Sequence, residues 1–252
     1  ILLSERIDAH KFEVAADGSK LYLGGGNIAV LDGADGRVLQ RFQAAGNELT
    51  PLPDGWFVLS ASGNPWTGRL ALVRPDGTEA RRLVGKGGFS GDAADPDVPM
   101  TVLRADMTGW TSPCGIAIDA AARLIFALDT TMAQRDDRNL PDPDWSRIAV
   151  FDLEGKFVRD LNRYNALARN AKDADERRTW YNDLAVDPPR RRVLATERRH
   201  NDLVCFDYDG KLLHRVKPKH GATGVAVFPD GRVAVGSGWN IAVYDAEFKE
   251  AA

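Results

Sequence analysis

The 252-residue sequence predicts an all-β chain, a β-propeller of five four-stranded blades, and three observations predict it. One strand–turn–strand unit recurs five times; Gly and Pro interrupt almost every short apolar run; and each chain end lacks what the other supplies. The unit is clearest in Gly224 to Asp245, where Pro229-Asp230-Gly231 separates two apolar runs, a strong hairpin signal.

Taken in order, the first copy runs from Lys11 to Phe42 and turns at Ala16-Asp17-Gly18 and Ala34-Asp35-Gly36. The second, Glu48 to Leu83, turns at Pro53-Asp54-Gly55 and Pro75-Asp76-Gly77. The third, Gly115 to Leu161, has a degraded first turn, Ala120-Ala121-Ala122, and then Leu153-Glu154-Gly155. The fourth, Asp183 to Val216, turns at Pro188-Pro189-Arg190 and Tyr208-Asp209-Gly210. The blades fall at about 11–44, 48–84, 113–161, 181–217 and 222–248 in one domain, 1–252. In each, apolar and polar residues alternate as in half-buried strands, here labelled a to d from inner to outer. The last blade lacks strand d after Phe248, whereas Ile1 to Ile7 reads as a strand with no a, b or c before it. Joining the two closes the ring and removes an exposed edge. The alternative is six blades, with a degenerate one in Lys86 to Trp110, a stretch too short for four strands. Leu161, Tyr164, Leu167 and Ala171 recur at helical spacing, so Leu161 to Arg178 is one short helical insertion, either a lid over the blades or a plain linker.

Composition sets the function classes. With 44% hydrophobic and 27% charged residues, the chain reads as a soluble globular protein. No apolar run is long enough to span a bilayer, so no membrane partner is expected. A net charge of −3 gives no global attraction to nucleic acid, leaving Arg190 to Arg192 and Arg198-Arg199 as local exceptions. Cys114 and Cys205 fall on different blades, too far apart for a bridge. The chain begins at Ile1 rather than Met, which leaves localisation open, with a secreted or periplasmic address compatible.

Segments such as Asn182-Asp183-Leu184-Ala185-Val186-Asp187-Pro188 and Gly224 to Val233 resemble the NHL-repeat and gluconolactonase/strictosidine-synthase-like, TolB-like, propellers. The likeness covers nearly the whole chain as a repeat signature. It speaks to fold far more than to activity.

Strand connectivity sorts the loops. The a-to-b and c-to-d turns share one face and are tight; Ala61 to Gly68, Lys86 to Ser112, Thr130 to Ser146 and Asn162 to Tyr181 build up the other. Trp66, Trp110, Trp145, Trp180 and Trp239 map to those long loops, leaving Trp56 within a strand. An aromatic rim suits a sugar ring, a flat organic molecule or a partner protein, and each Trp can equally pin its own loop. By register, His10, Asn47, Cys114, Asn182 and Thr223 stand at the mouth of the central channel, with Lys11, Glu48 and Asp183 just behind.

The gluconolactonase resemblance implies a divalent cation, Ca2+ or a similar ion, held at these strand starts by Glu, Asn and Asp oxygens. Asn182 matches that motif and Glu48 is one residue from a ligand position, while His10, Cys114 and Thr223 stand where oxygen donors are expected. His10 and Asp183 are then the catalytic candidates, activating water against a sugar lactone or ester. His200 and His220 read as exposed loop histidines, and Cys114 as a small, partly buried residue. Asp129 and Glu197, at the outer ends of b strands, reach the same face. Two functions compete: a propeller binding a ligand or partner at the Trp-rich face, which is favoured, and the alternative, a metal-dependent lactonase-like hydrolase.

Overall fold

A computed structural model describes residues 9–15, 18–25, 28–42, 48–52, 55–61, 69–82, 109–133, 144–161, 181–197 and 200–250. The chain divides into two compact units, residues 1–113 and 114–252.

In the first unit, β1 (Ala9–Val14), β2 (Lys20–Gly25), β3 (Ile28–Asp32) and β4 (Val38–Phe42) form one antiparallel meander. A second comprises β5 (Glu48–Pro51), β6 (Phe57–Ala61), β7 (Arg69–Val73) and β8 (Glu79–Arg82). Tyr22, Ile28, Val30 and Phe42 of the first sheet pack on Leu49, Phe57, Leu59 and Val73 of the second, with the Phe42 and Phe57 rings 5.5 Å apart.

The second unit holds three sheets. The third sheet of the chain is β9 (Gly109–Asp119), which begins before the boundary, β10 (Leu124–Ala133), β11 (Asp144–Asp152) and β12 (Phe157–Asp160). The fourth is β13 (Tyr181–Asp187), β14 (Arg192–Glu197), β15 (Asp202–Asp207) and β16 (Leu212–Val216). The fifth is β17 (Gly224–Val227), β18 (Val233–Ser237) and β19 (Asn240–Tyr244). The fourth sheet is a middle layer, which is why β14 is buried along its whole length. Val193 and Ala195 share a core with Phe126, Leu128 and Ile148 of the third sheet, while Leu194 joins Val233, Val235 and Tyr244 of the fifth. Burying each such side chain stabilises the fold by about 1.5–3 kcal/mol before entropy is counted.

The turn between third and fourth strands is one device used five times. The residue that ends the third strand, or the one just after it, donates its N–H across the turn, from Asp152 to the Lys156 carbonyl, Asp207 to Lys211 and Asp245 to Lys249, all at 2.8–2.9 Å, and Asp32 and Arg74 do the same to Arg37 and Thr78. The carboxylates of Asp152, Asp207 and Asp245 accept the returning Lys N–H at 2.7–2.8 Å. A bulge follows in every complete sheet, as expected of a turn ending in a left-handed residue. That residue is Gly36, Gly77, Gly155 or Gly210 in the first four sheets and Phe248 (φ +64°) in the fifth. Gly210 is doubly required, since a Cβ there would lie 1.8 Å from the Leu161 carbonyl oxygen of the third sheet. Phe248 accepts the strained backbone and is buried against the core instead.

The five-fold repeat of antiparallel strands is as the sequence predicts. The fifth sheet has three strands plus one bridge, Tyr244 to Glu250, beyond its last turn. Several positions need correction. Trp110 lies in β9 and Trp145 in β11, not in loops, and Asp129 is inside β10, because the β10–β11 ladder continues to Met132 opposite Asp144. Thr130, Thr131 and Trp145 in that extension are residue types that favour strands. Trp56 precedes β6 rather than lying in a strand, its carbonyl accepting the Leu52 N–H at 2.7 Å. In the degraded turns the left-handed residues are Arg123 and Arg191, one position beyond the expected triplets. The N-terminal strand 1–7, the sixth-blade segment 86–108 and the helix beyond Leu161 lie outside the described residues.

Candidate functional site

In the second unit, the ends at which β13 and β17 begin lie beside the β14–β15 and β18–β19 loops, opposite the Asp-containing turns. Asn182, Asp183 and Thr223 meet here. The Asn182 side-chain amide donates to the Thr223 carbonyl at 2.9 Å, and the Asp183 carboxylate accepts the Val225 N–H at 2.9 Å. Thr223 in turn ties to the Gly236 carbonyl through both its N–H and its hydroxyl. These residues stitch the inner strand of the fourth sheet to that of the fifth, one charge-assisted bond included, the kind that contributes about 1.5–3 kcal/mol.

One strand over, β14 ends in a carboxylate on its buried face. Glu197 follows Val193 and Ala195 at two-residue spacing, so the pleat carries it into the same interior. Its side chain is fully buried, and one oxygen accepts the His200 N–H at 2.7 Å and meets His200 Nδ1 at 2.9 Å. The imidazole is 29% exposed, so a buried acid fixes the orientation of a ring that touches solvent. Asp202, opposite Glu197 in the ladder, binds Arg215 Nε at 2.6 Å. Its other oxygen and the Thr196 hydroxyl are buried with no partner among the described contacts, sites suited to a bound water. Neither the Glu197–His200 pair nor the Asp202–Arg215 pair was paired by sequence reasoning; the polar residue breaking an apolar strand at Glu197, three positions before His200, was the available signal.

The third component is aromatic. The loop between β18 and β19 has two residues, Gly238 (φ +54°) and Trp239, the Gly-X form favoured in tight hairpins. Trp239 is fully exposed and Ile241 is 77% exposed.

The remaining expected site residues fall outside this picture. Asn47, Trp66 and Trp180 lie outside the described residues, as do the side chains of His10, Glu48, Trp110, Cys114 and Trp145, whose backbones lie in β1, β5, β9, β9 and β11. Among the described residues no three His, Cys, Asp or Glu side chains gather as a metal site. Asn182 and Asp183 supply far fewer than the six to eight oxygens that Ca2+ takes, and both already bond the next sheet. These residues do not by themselves form a calcium site.

No protein-family model matches the sequence, and no curated protein matches it. Among solved structures the chain is similar to the WD40 domain of Neurospora crassa Pan2, with 11% identity and a TM-score of 0.54 over 89% of this chain and 58% of that one. The chain thus spans less than two thirds of that chain's length. At such identity the likeness concerns fold alone, and with the five antiparallel sheets it makes the fold class an all-β propeller. The described residues contain no helix long and apolar enough to cross a membrane.

Proposed function

We propose that the chain is a binding propeller, recognising a ligand or partner with the face where its inner strands begin. The observation that carries this is Trp239, fully exposed at the tip of a two-residue hairpin. A tight Gly-X turn needs no aromatic residue, and an indole left in water adds nothing to folding, yet it can release about 1.5–3 kcal/mol on burial against another molecule. Indoles of this kind are typical anchors of interfaces. The engagement of Asn182 and Asp183 between sheets favours binding over the metal-dependent hydrolase reading.

The test is selection of peptides from a random 12-residue display library on the whole chain, followed by titration of the selected peptides on wild type and Trp239→Ala by fluorescence anisotropy. Selected peptides that lose at least about tenfold in affinity on Trp239→Ala, with the thermal midpoint unchanged, support the reading. Peptides that bind both proteins equally, or a selection that never exceeds background, overturn it.

A further inference from the structure

Trp239 does not stand alone. The link between β16 and β17 carries Lys217, Lys219 and His220, and the Ser237 hydroxyl at the foot of the Trp239 hairpin donates to the His220 carbonyl. The link is a fixed turn: the Gly221 N–H bonds the Pro218 carbonyl at 3.0 Å, with Lys219 and His220 at the exposed central positions. On its other side Gly221 abuts Asn201, next to His200, since a Cβ there would lie 3.0 Å from that of Asn201. Hairpin, link and the His200–Asn201 loop therefore form one continuous rim.

The charges on this rim are lopsided. Among the described residues, the acids at this end of the fourth and fifth sheets are withdrawn: Glu197 is fully buried, Asp202 is 6% exposed and paired with Arg215, and Asp183 holds the Val225 N–H. Asp207, Asp209 and Asp230 lie in the turns at the opposite end. What faces solvent here is Trp239, Ile241, Lys217, Lys219 and His220. Exposed apolar side chains flanked by cations that no described acid pairs complement a segment that has apolar anchors among carboxylates.

We propose that this rim docks an acidic linear segment of a partner protein, Trp239 and Ile241 taking its apolar side chains and Lys217 and Lys219 steering and holding its carboxylates. The proposal rests on the binding reading above and narrows it to one partner chemistry. A single-stranded nucleic acid is the competing polyanion; the chain's net charge of −3 weighs against it.

The experiment uses the whole chain and three fluorescent probes. They are 12-residue peptides with Asp or Glu at half the positions and Trp, Phe or Leu at the rest, the same set with Lys for the acids, and a 12-nucleotide single-stranded oligothymidylate. Affinities are measured at 50 and 300 mM salt for wild type, Trp239→Ala and Lys217→Glu/Lys219→Glu. The expected result is binding of the acidic set alone, weakened about tenfold or more by either variant, and lowered by salt in wild type far more than in the double-Glu variant. Equal binding of the Lys set, stronger binding of the oligonucleotide, or acidic-set affinity unchanged by the double-Glu variant overturns the proposal. Peptides of the acidic set that depend on Trp239 but are indifferent to both lysines would sink this proposal while leaving the binding reading intact; indifference to Trp239 sinks both.

Discussion

Arg192 is the residue whose removal the structure prices most clearly. Its guanidinium is 9% exposed and bonds Asp187, itself 2% exposed, through Nη2 at 2.5 Å and Nε at 3.2 Å. It also reaches across to the Ala246 carbonyl of the fifth sheet at 2.8 Å and lies 5.2 Å from the centre of the Phe248 ring. Arg192→Met keeps much of the stem but strands a buried carboxylate. Breaking such a pair costs about 3–5 kcal/mol. Arg190, 3.5 Å from the other oxygen of Asp187, remains and holds the loss near the lower end, about 3 kcal/mol. For a chain of this size that lowers the thermal midpoint by about 6–12 °C. Adding Asp187→Asn removes the stranded charge, so the double variant should recover at least about 1 kcal/mol of the loss. Urea unfolding read by both tryptophan fluorescence and circular dichroism measures this, coincident transitions licensing two-state treatment. A single-variant loss below about 1 kcal/mol, or a double variant no more stable than the single, would refute the reasoning that the pair is buried and mutually neutralised.

Three further outcomes follow from the same geometry. The Tyr208 hydroxyl donates to buried Asp119 at 2.7 Å, so Tyr208→Phe should cost about 2 kcal/mol. Burial, reinforced by Asp119, pushes the Tyr208 phenol above its ordinary value of 10. The stability this group contributes is therefore whole below about pH 10 and is lost as the pH rises toward the folded value, so urea midpoints between about pH 9.5 and 11.5 should fall more steeply for wild type than for Tyr208→Phe. Cys205 is fully buried and its thiol is pushed up to about 12 by that burial; in a Cys114→Ser background it should react with an aromatic disulfide reagent only once urea unfolds the chain, and rapid labelling of native protein would contradict its placement. Asn182→Ala should cost about 1 kcal/mol through the lost Thr223 bond, equally with and without 1 mM Ca2+. A calcium-dependent rise in wild-type midpoint abolished by that substitution would instead establish the metal-dependent reading.

How much of this was readable in advance divides along the range of the interactions. The turns were, because Asp207 through Lys211 contains every atom that closes that hairpin and the glycine it requires. Of the residues expected at the starts of the inner strands, Asn182 and Thr223 stand together. What they bond to was not legible, because the Thr223 carbonyl and the Val225 N–H come from another sheet and nothing in the local pattern of Asn182-Asp183 names them. The same holds for Asp119 with Tyr208 and Glu197 with His200: a buried acid leaves a visible break in an apolar strand, but its partner depends on how sheets stack and loops return. Trp110 and Trp145 were misplaced for a different reason. Long segments between clear strands read as loops, although their ends continue a ladder whose Thr and Trp residues were already strand formers.

The five Asp-containing turns also carry a consequence for how the chain acquires its structure. Each closes a loop of four or five residues, an event of about microseconds that needs nothing from the rest of the chain. The bonds that join neighbouring sheets in the second unit span 40 to 89 residues of sequence, from Arg190 with Asp230 to Tyr208 with Asp119, and must wait for much larger closures. Hairpins therefore form early and seams late. Weakening a seam at Arg192 or Tyr208 should then speed unfolding far more than it slows folding, whereas replacing Gly210, whose positive φ lets its hairpin turn close, should appear in the folding rate as well.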